Sequence, residues 1–84
     1  MYFNIEFCLS VFKHGIKKED IRYTFLQYKY DGPLEESENK FLRLGFDRSG
    51  NLLEMMYNEN DKPAVKIFHA MKCRSIYYLK SSVK

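Results

Sequence analysis

The run Lys40-Phe41-Leu42-Arg43-Leu44-Gly45-Phe46, the turn Asp47-Arg48-Ser49-Gly50-Asn51 and the run Leu52-Leu53-Glu54-Met55-Met56-Tyr57 decide how this chain is read. Both runs are rich in Phe, Leu, Met and Tyr and end at turn formers, so both are expected to be strands. Strand side chains alternate between faces. Leu42, Leu44 and Phe46 therefore share one face, opposite Phe41 and Arg43. In the second run Leu53, Met55 and Tyr57 oppose Leu52, Glu54 and Met56. Gly50 stands where a hairpin turn calls for positive φ. A third run, Ala64–Ala70, follows the loop 58–63 and sets Val65, Ile67 and His69 against Lys66 and Phe68. Short connections make the three an antiparallel meander. Its purely apolar face is expected to pack on helices. Its other face, with Phe41, Arg43, Glu54, Met56, Lys66 and Phe68, joins cations and rings.

Upstream, Ser10 can cap a single turn, Val11-Phe12-Lys13-His14, which Gly15 stops. A second helix is expected from Lys17 to the breaker Asp31-Gly32-Pro33, with Ile21, Phe25 and Tyr28 on one stripe and Lys18, Arg22 and Lys29 along its edge. Glu19 and Asp20 suit its first turn. Tyr2–Phe7 alternates weakly and is compatible with a short first strand. Downstream, Met71–Ser82 reads as a helix with Cys73, Ile76 and Leu79 inward and Lys72, Arg74 and Lys80 outward. The expected fold is α+β: two N-terminal helices, a three-stranded antiparallel meander and a C-terminal helix, in one domain over 1–84.

At 84 residues, with 45% hydrophobic and 17% aromatic residues, the chain has enough apolar side chains for a core without staples. Seven Tyr exceed what a small core hides, which suits a protein or RNA contact. Apolar runs are too short to span a membrane, and Met1-Tyr2-Phe3 lacks the basic start of a signal peptide. Two cysteines without an export signal fit free thiols in a reducing, cytoplasmic setting. Charge is unevenly spread. Residues 1–30 carry five basic and three acidic groups, residues 31–61 three and eight, and residues 62–84 six and none. A basic end beside an acidic middle fits a polyanion or an acidic partner, though a solvated helix face gives the same pattern.

Three stretches resemble the BrnT toxins, minimal relatives of the RelE-like ribonucleases. Lys13-His14-Gly15-Ile16 with Lys17-Lys18-Glu19-Asp20-Ile21 resembles the family's opening turn and acidic helix start. Lys40–Gly45 with Gly50–Tyr57 resembles its basic-Phe strand and Gly-x-Leu-Leu hairpin. Ile67-Phe68-His69-Ala70-Met71-Lys72 resembles its strand-to-helix junction. The family usually has Ser at the position of His69, Arg at Met71 and Arg at Lys40, and a basic residue is common at Asn51. The resemblance implies a RelE/BrnT-like fold and the toxin of a type II toxin–antitoxin pair. Such a toxin is a metal-independent endoribonuclease whose partners are RNA and a cognate antitoxin protein, with no cofactor and no membrane.

Cleavage by the neighbouring 2′-hydroxyl needs a base, cations for the phosphate and an acid for the leaving oxygen. His14, His69 and Glu54 are the candidate acids and bases. Lys13, Lys40, Arg43, Lys66 and Lys72 are the candidate phosphate ligands. Phe41 and Phe68, with Tyr57, are the candidate stacking rings. Each also has a plain reading. His14 suits a helix C-terminus, His69 a buried hydrogen-bonded position, and Glu54 a cross-strand pair with Arg43 or Lys66. Cys8, His14, His69 and Cys73 number enough for zinc, but their spacing matches no common zinc pattern, so no metal is expected. A catalytically inactive binding module of the same fold is the alternative function.

Overall fold

The computed structural model describes residues 4–34, 39–59 and 64–81. They form one five-stranded mixed sheet in the order β1-β5-β4-β3-β2, made of β1 Asn4–Phe7, β2 Tyr28–Pro33, β3 Lys40–Phe46, β4 Leu52–Asn58 and β5 Ala64–Lys72. Strand β1 runs parallel to β5, and all other neighbours are antiparallel. Helix α1, Lys18–Leu26, covers one face together with a 3₁₀ turn at Leu9–Phe12. A second 3₁₀ turn, Ser75–Tyr77, and a one-turn helix α2, Tyr78–Ser81, close the chain over the other face. No helix among the described residues is long and apolar enough to cross a membrane.

This architecture corrects the expected RelE/BrnT-like one at every helix. The sheet has five strands, and there is one nine-residue helix in place of two N-terminal helices and a long C-terminal one. Ser10 caps nothing: its hydroxyl donates to the Phe68 carbonyl, and Cys8 precedes the turn. Helix α1 stops at Leu26 because Tyr28-Lys29-Tyr30 is β-prone and pairs with Gly45 and Leu44. Pro33 is tolerated there because β2 is an edge strand. The C-terminal helix starts late because Met71 and Lys72 still pair with Glu54 and Leu53. Ile76 and Leu79, expected inward, are exposed at 69% and 81%, while Cys73 is buried. Of the expected elements, Tyr2 and Phe3, part of the acidic loop, residues 60–63 and Ser82 lie outside the described residues.

The face assignments change as well. In register, Phe41 faces Tyr57, Arg43 faces Met55 and Gly45 faces Leu53. Phe41 and Arg43 therefore lie beneath α1, with Val11, Ile21, Phe25, Met55, Tyr57, Val65, Ile67 and Ala70. Leu42 and Leu44, expected on that side, lie on the second face with Cys73, Tyr30, Leu34, Leu52, Met56 and Tyr77. Each face thus carries its own apolar cluster. Gly45 permits this arrangement, since a Cβ there would come within 3.1 Å of the Thr24 side chain and carbonyl in α1.

Arg43 ties sheet to helix. Its Nη1 donates to the Phe25 carbonyl at 2.8 Å and its Nε to Asp31 Oδ1 at 3.2 Å. The guanidinium carbon lies 4.1 Å from the Phe25 ring centroid and 3.9 Å from that of Tyr28. Helix α1 has no basic residue in its own last turn, so a cation from the sheet takes the place of one. Tyr57 adds a hydroxyl bond of 2.6 Å to the same Asp31 oxygen. Arg43→Ala is expected to lower stability by about 1–3 kcal/mol, since it removes a buried charge-assisted bond to the Phe25 carbonyl and the ring packing around the guanidinium. A urea unfolding midpoint close to that of the parent protein would show that Arg43 is not part of the core.

Candidate functional site

Strand β5 places the site through a bulge. Tyr57 pairs with Ile67 and Met56 with His69, so Phe68 is the extra residue. The bulge takes His69 off the parity of Val65 and Ile67 and turns it to the second face, beside Met56 and Glu54. Glu54 is fully buried in β4, and its Oε2 lies 2.8 Å from His69 Nε2. Beyond β5 the chain turns back over the sheet, and Arg74 closes on the same carboxylate. Its backbone N–H donates to Oε1 at 2.9 Å, and its Nη2 donates to Oε2 at 2.7 Å. Its Nε reaches both oxygens, at 3.2 and 3.0 Å.

His14 arrives from the other side. The 3₁₀ turn lies along β5 where β1 has ended, held by Cys8 N–H on the Ile67 carbonyl and Ser10 on that of Phe68. Gly15 has φ of +82°, which lets the chain reverse into α1 directly after His14. The His14 and His69 rings meet edge to face, with centroids 5.6 Å apart. His14 is exposed, whereas the His69 side chain is 18% exposed.

Burial pushes the Glu54 carboxyl up, but hydrogen bonds from the Arg74 side chain, the Arg74 backbone N–H and His69, with the nearby guanidinium charge, outweigh it and hold the group below its ordinary 4.5. Glu54 is therefore an acceptor only, and His69 donates to it through Nε2. The pair with Glu54 raises Arg74, although some desolvation opposes it. Burial and the Glu54 charge both push the Cys73 thiol up, which leaves it protonated and inert.

The three acid–base candidates from widely separated parts of the sequence, His14, His69 and Glu54, thus come together. The phosphate and stacking candidates divide. Lys40 and Lys66 flank Asn58 in one row of the second face, and Lys40 Nζ lies 5.8 Å from the Phe68 ring centroid. Lys13 is exposed next to His14. Lys72 is exposed at the far end of β5, opposite Leu53. Phe41 stacks on Tyr57 at 5.4 Å under α1, and Arg43 is sealed there too. The expected flat surface of cations and rings on one side of the ribbon therefore does not form. Arg74 was expected only as an outward helix residue. Its role had one sequence signal: a Glu inside Leu52-Leu53-Glu54-Met55-Met56 needs a cation, and 62–84 holds a single Arg. Among the described residues no group of three or more His, Cys, Asp or Glu could hold a metal ion.

Comparison with protein-family models, with curated proteins and with solved structures found no match.

The Glu54 shift has a direct consequence for acid stability. The folded carboxyl is depressed, so the unfolded chain binds the proton first as pH falls. Its contribution is complete above the ordinary value of 4.5 and is lost as pH drops through the lower folded value. Glu54→Gln is expected to cost about 2 kcal/mol at pH 7, where it leaves Arg74 and His69 without their anion. Urea midpoints measured from pH 7 down to pH 3 should fall less steeply for this variant than for the parent. Parallel curves would rule out the linkage.

Proposed function

We propose that the chain is an endoribonuclease that cleaves RNA through His14 and His69 by 2′-hydroxyl attack, without a metal. One observation carries the reading. The protein's only two histidines meet ring to ring beside solvent, and one of them is oriented by a buried carboxylate. Such a pair supplies both proton transfers that the reaction needs. One imidazole takes the 2′-hydroxyl proton as the 2′-oxygen–phosphorus bond forms. The other gives a proton to the 5′-oxygen as the phosphorus–5′-oxygen bond breaks. The products are a 2′,3′-cyclic phosphate and a 5′-hydroxyl. In this scheme Glu54 touches no substrate and positions His69. Lys13, Lys40 and Lys66 offer phosphate contacts around the pair, with Phe68 as the stacking ring. The wider reading, a toxin restrained by an antitoxin protein, rests on the resemblance of the three stretches quoted above and on the basic end of the chain.

A second reading, an RNA- or protein-binding module without catalysis, draws support from a different observation: Phe41 and Arg43 are committed to the core and cannot serve a substrate. The two readings separate in one experiment. Single-stranded RNA labelled at its 5′ end is incubated with the protein in excess chelator, and products are resolved with markers for cyclic-phosphate ends. Cleavage that falls about 10²- to 10⁴-fold in His14→Ala and in His69→Ala is the expected result. Binding without cleavage supports the second reading. Cleavage undiminished in the double His variant would remove the site.

A further inference from the structure

Glu54 is shared between a permanent cation, Arg74, and a ring that becomes one on protonation, His69. His69 reaches only Oε2, whereas Arg74 places three donors across both oxygens. A buried carboxylate 2.8 Å from an imidazole, left to itself, attracts a proton onto that ring and holds it as an imidazolium. A ring held in that way orients well but cannot accept a proton. Here the guanidinium already matches the charge of Glu54, and Arg74 stays charged at any working pH. We propose that Arg74 is a positioning residue that keeps His69 free to act as a base: it takes up the charge of Glu54, so that the carboxylate aims the ring through Nε2 without trapping a proton on it. Nδ1 is then the nitrogen that exchanges protons.

The other charged or titratable groups about His69 do not duplicate this arrangement. His14 meets it ring to ring and is exposed, Lys66 lies on the same strand toward Lys40, and Lys13 lies beyond His14. The Cys73 thiol stays neutral behind Glu54. Arg74 belongs to the segment that folds back over the second face, its side chain is 47% exposed, and its guanidinium lies 5.7 Å from the Tyr77 ring centroid. The docking of the chain end and the protonation of His69 are therefore coupled through one side chain. The base role relies on the ribonuclease reading, but the charge sharing does not.

The test is an NMR titration of both histidine rings in the full chain. In Arg74→Ala, His69 is expected to remain protonated to higher pH, its midpoint rising by about one unit, a tenfold change in proton affinity. Arg74→Lys should recover most of the change. In a Glu54→Gln background, removing Arg74 should raise the midpoint less, because only the direct repulsion between guanidinium and imidazolium is then relieved. Backbone amide spectra establish that each variant is folded, and Arg74→Gln, which keeps a donor but no charge, takes the place of the Ala variant if that one does not fold. A His69 midpoint that is unchanged or falls in a folded Arg74→Ala or Arg74→Gln variant overturns the proposal. RNA cleavage is measured separately. If the midpoint moves and wild-type protein cleaves no RNA, the function reading fails while the charge sharing stands.

Discussion

A carboxylate shut away from water in the central strand is the constraint around which this molecule is arranged. Glu54 lies in β4 between apolar neighbours, and a lone buried charge there would cost several kcal/mol. Two elements meet the need. The bulge at Phe68 turns His69 toward the acid, and the chain end folds back to bring Arg74 onto both oxygens. The same return seats Cys73 and Tyr77 with Leu42 and Leu44 in the second apolar cluster. Site and fold are one construction on that face.

On the opposite face Arg43 plays the complementary part. It too is a charged side chain inside the protein, but its partners are a helix carbonyl, an edge-strand carboxylate and three aromatic rings. It binds α1, β2 and β3 at one point, which explains how a nine-residue helix can cover the sheet. Its burial also removes it from any substrate surface. The two buried ions divide the work, one fixing the helix layer and the other the return of the chain over the second face.

Period-two runs bounded by turn residues mark β3, β4 and β5 in the sequence, because long apolar alternation has few other readings. The helical reading of Tyr28 failed because one aromatic at the right spacing prolongs a stripe whether or not the backbone follows it. Facing could not be read from β3, where Leu42 and Leu44 look like core and Phe41 and Arg43 like surface. In a sheet with apolar clusters on both faces that distinction disappears. The bulge that reorients His69 adds one residue without changing composition, so alternation alone assigns the ring to the wrong side. The acid–base trio could be named from residue type, but its assembly could not, since it depends on the bulge, on the Gly15 reversal and on a C-terminal segment whose helix is only one turn long.

The parallel pairing of β1 with β5 has a kinetic side. Asn4–Phe7 finds its partners at Ala64–Ile67, so the first strand of the sheet is the last to gain a neighbour. During synthesis Ile5 and Phe7 emerge before the strand that pairs with them, with β2, β3 and β4 between. The antiparallel part, β2 to β5, is local and can assemble first. Closure by β1 then carries the Leu9–Phe12 turn, and with it His14, against the edge of β5. The contact of the two imidazoles thus depends on the pairing of strands far apart in the sequence, the longest-range closure in the sheet.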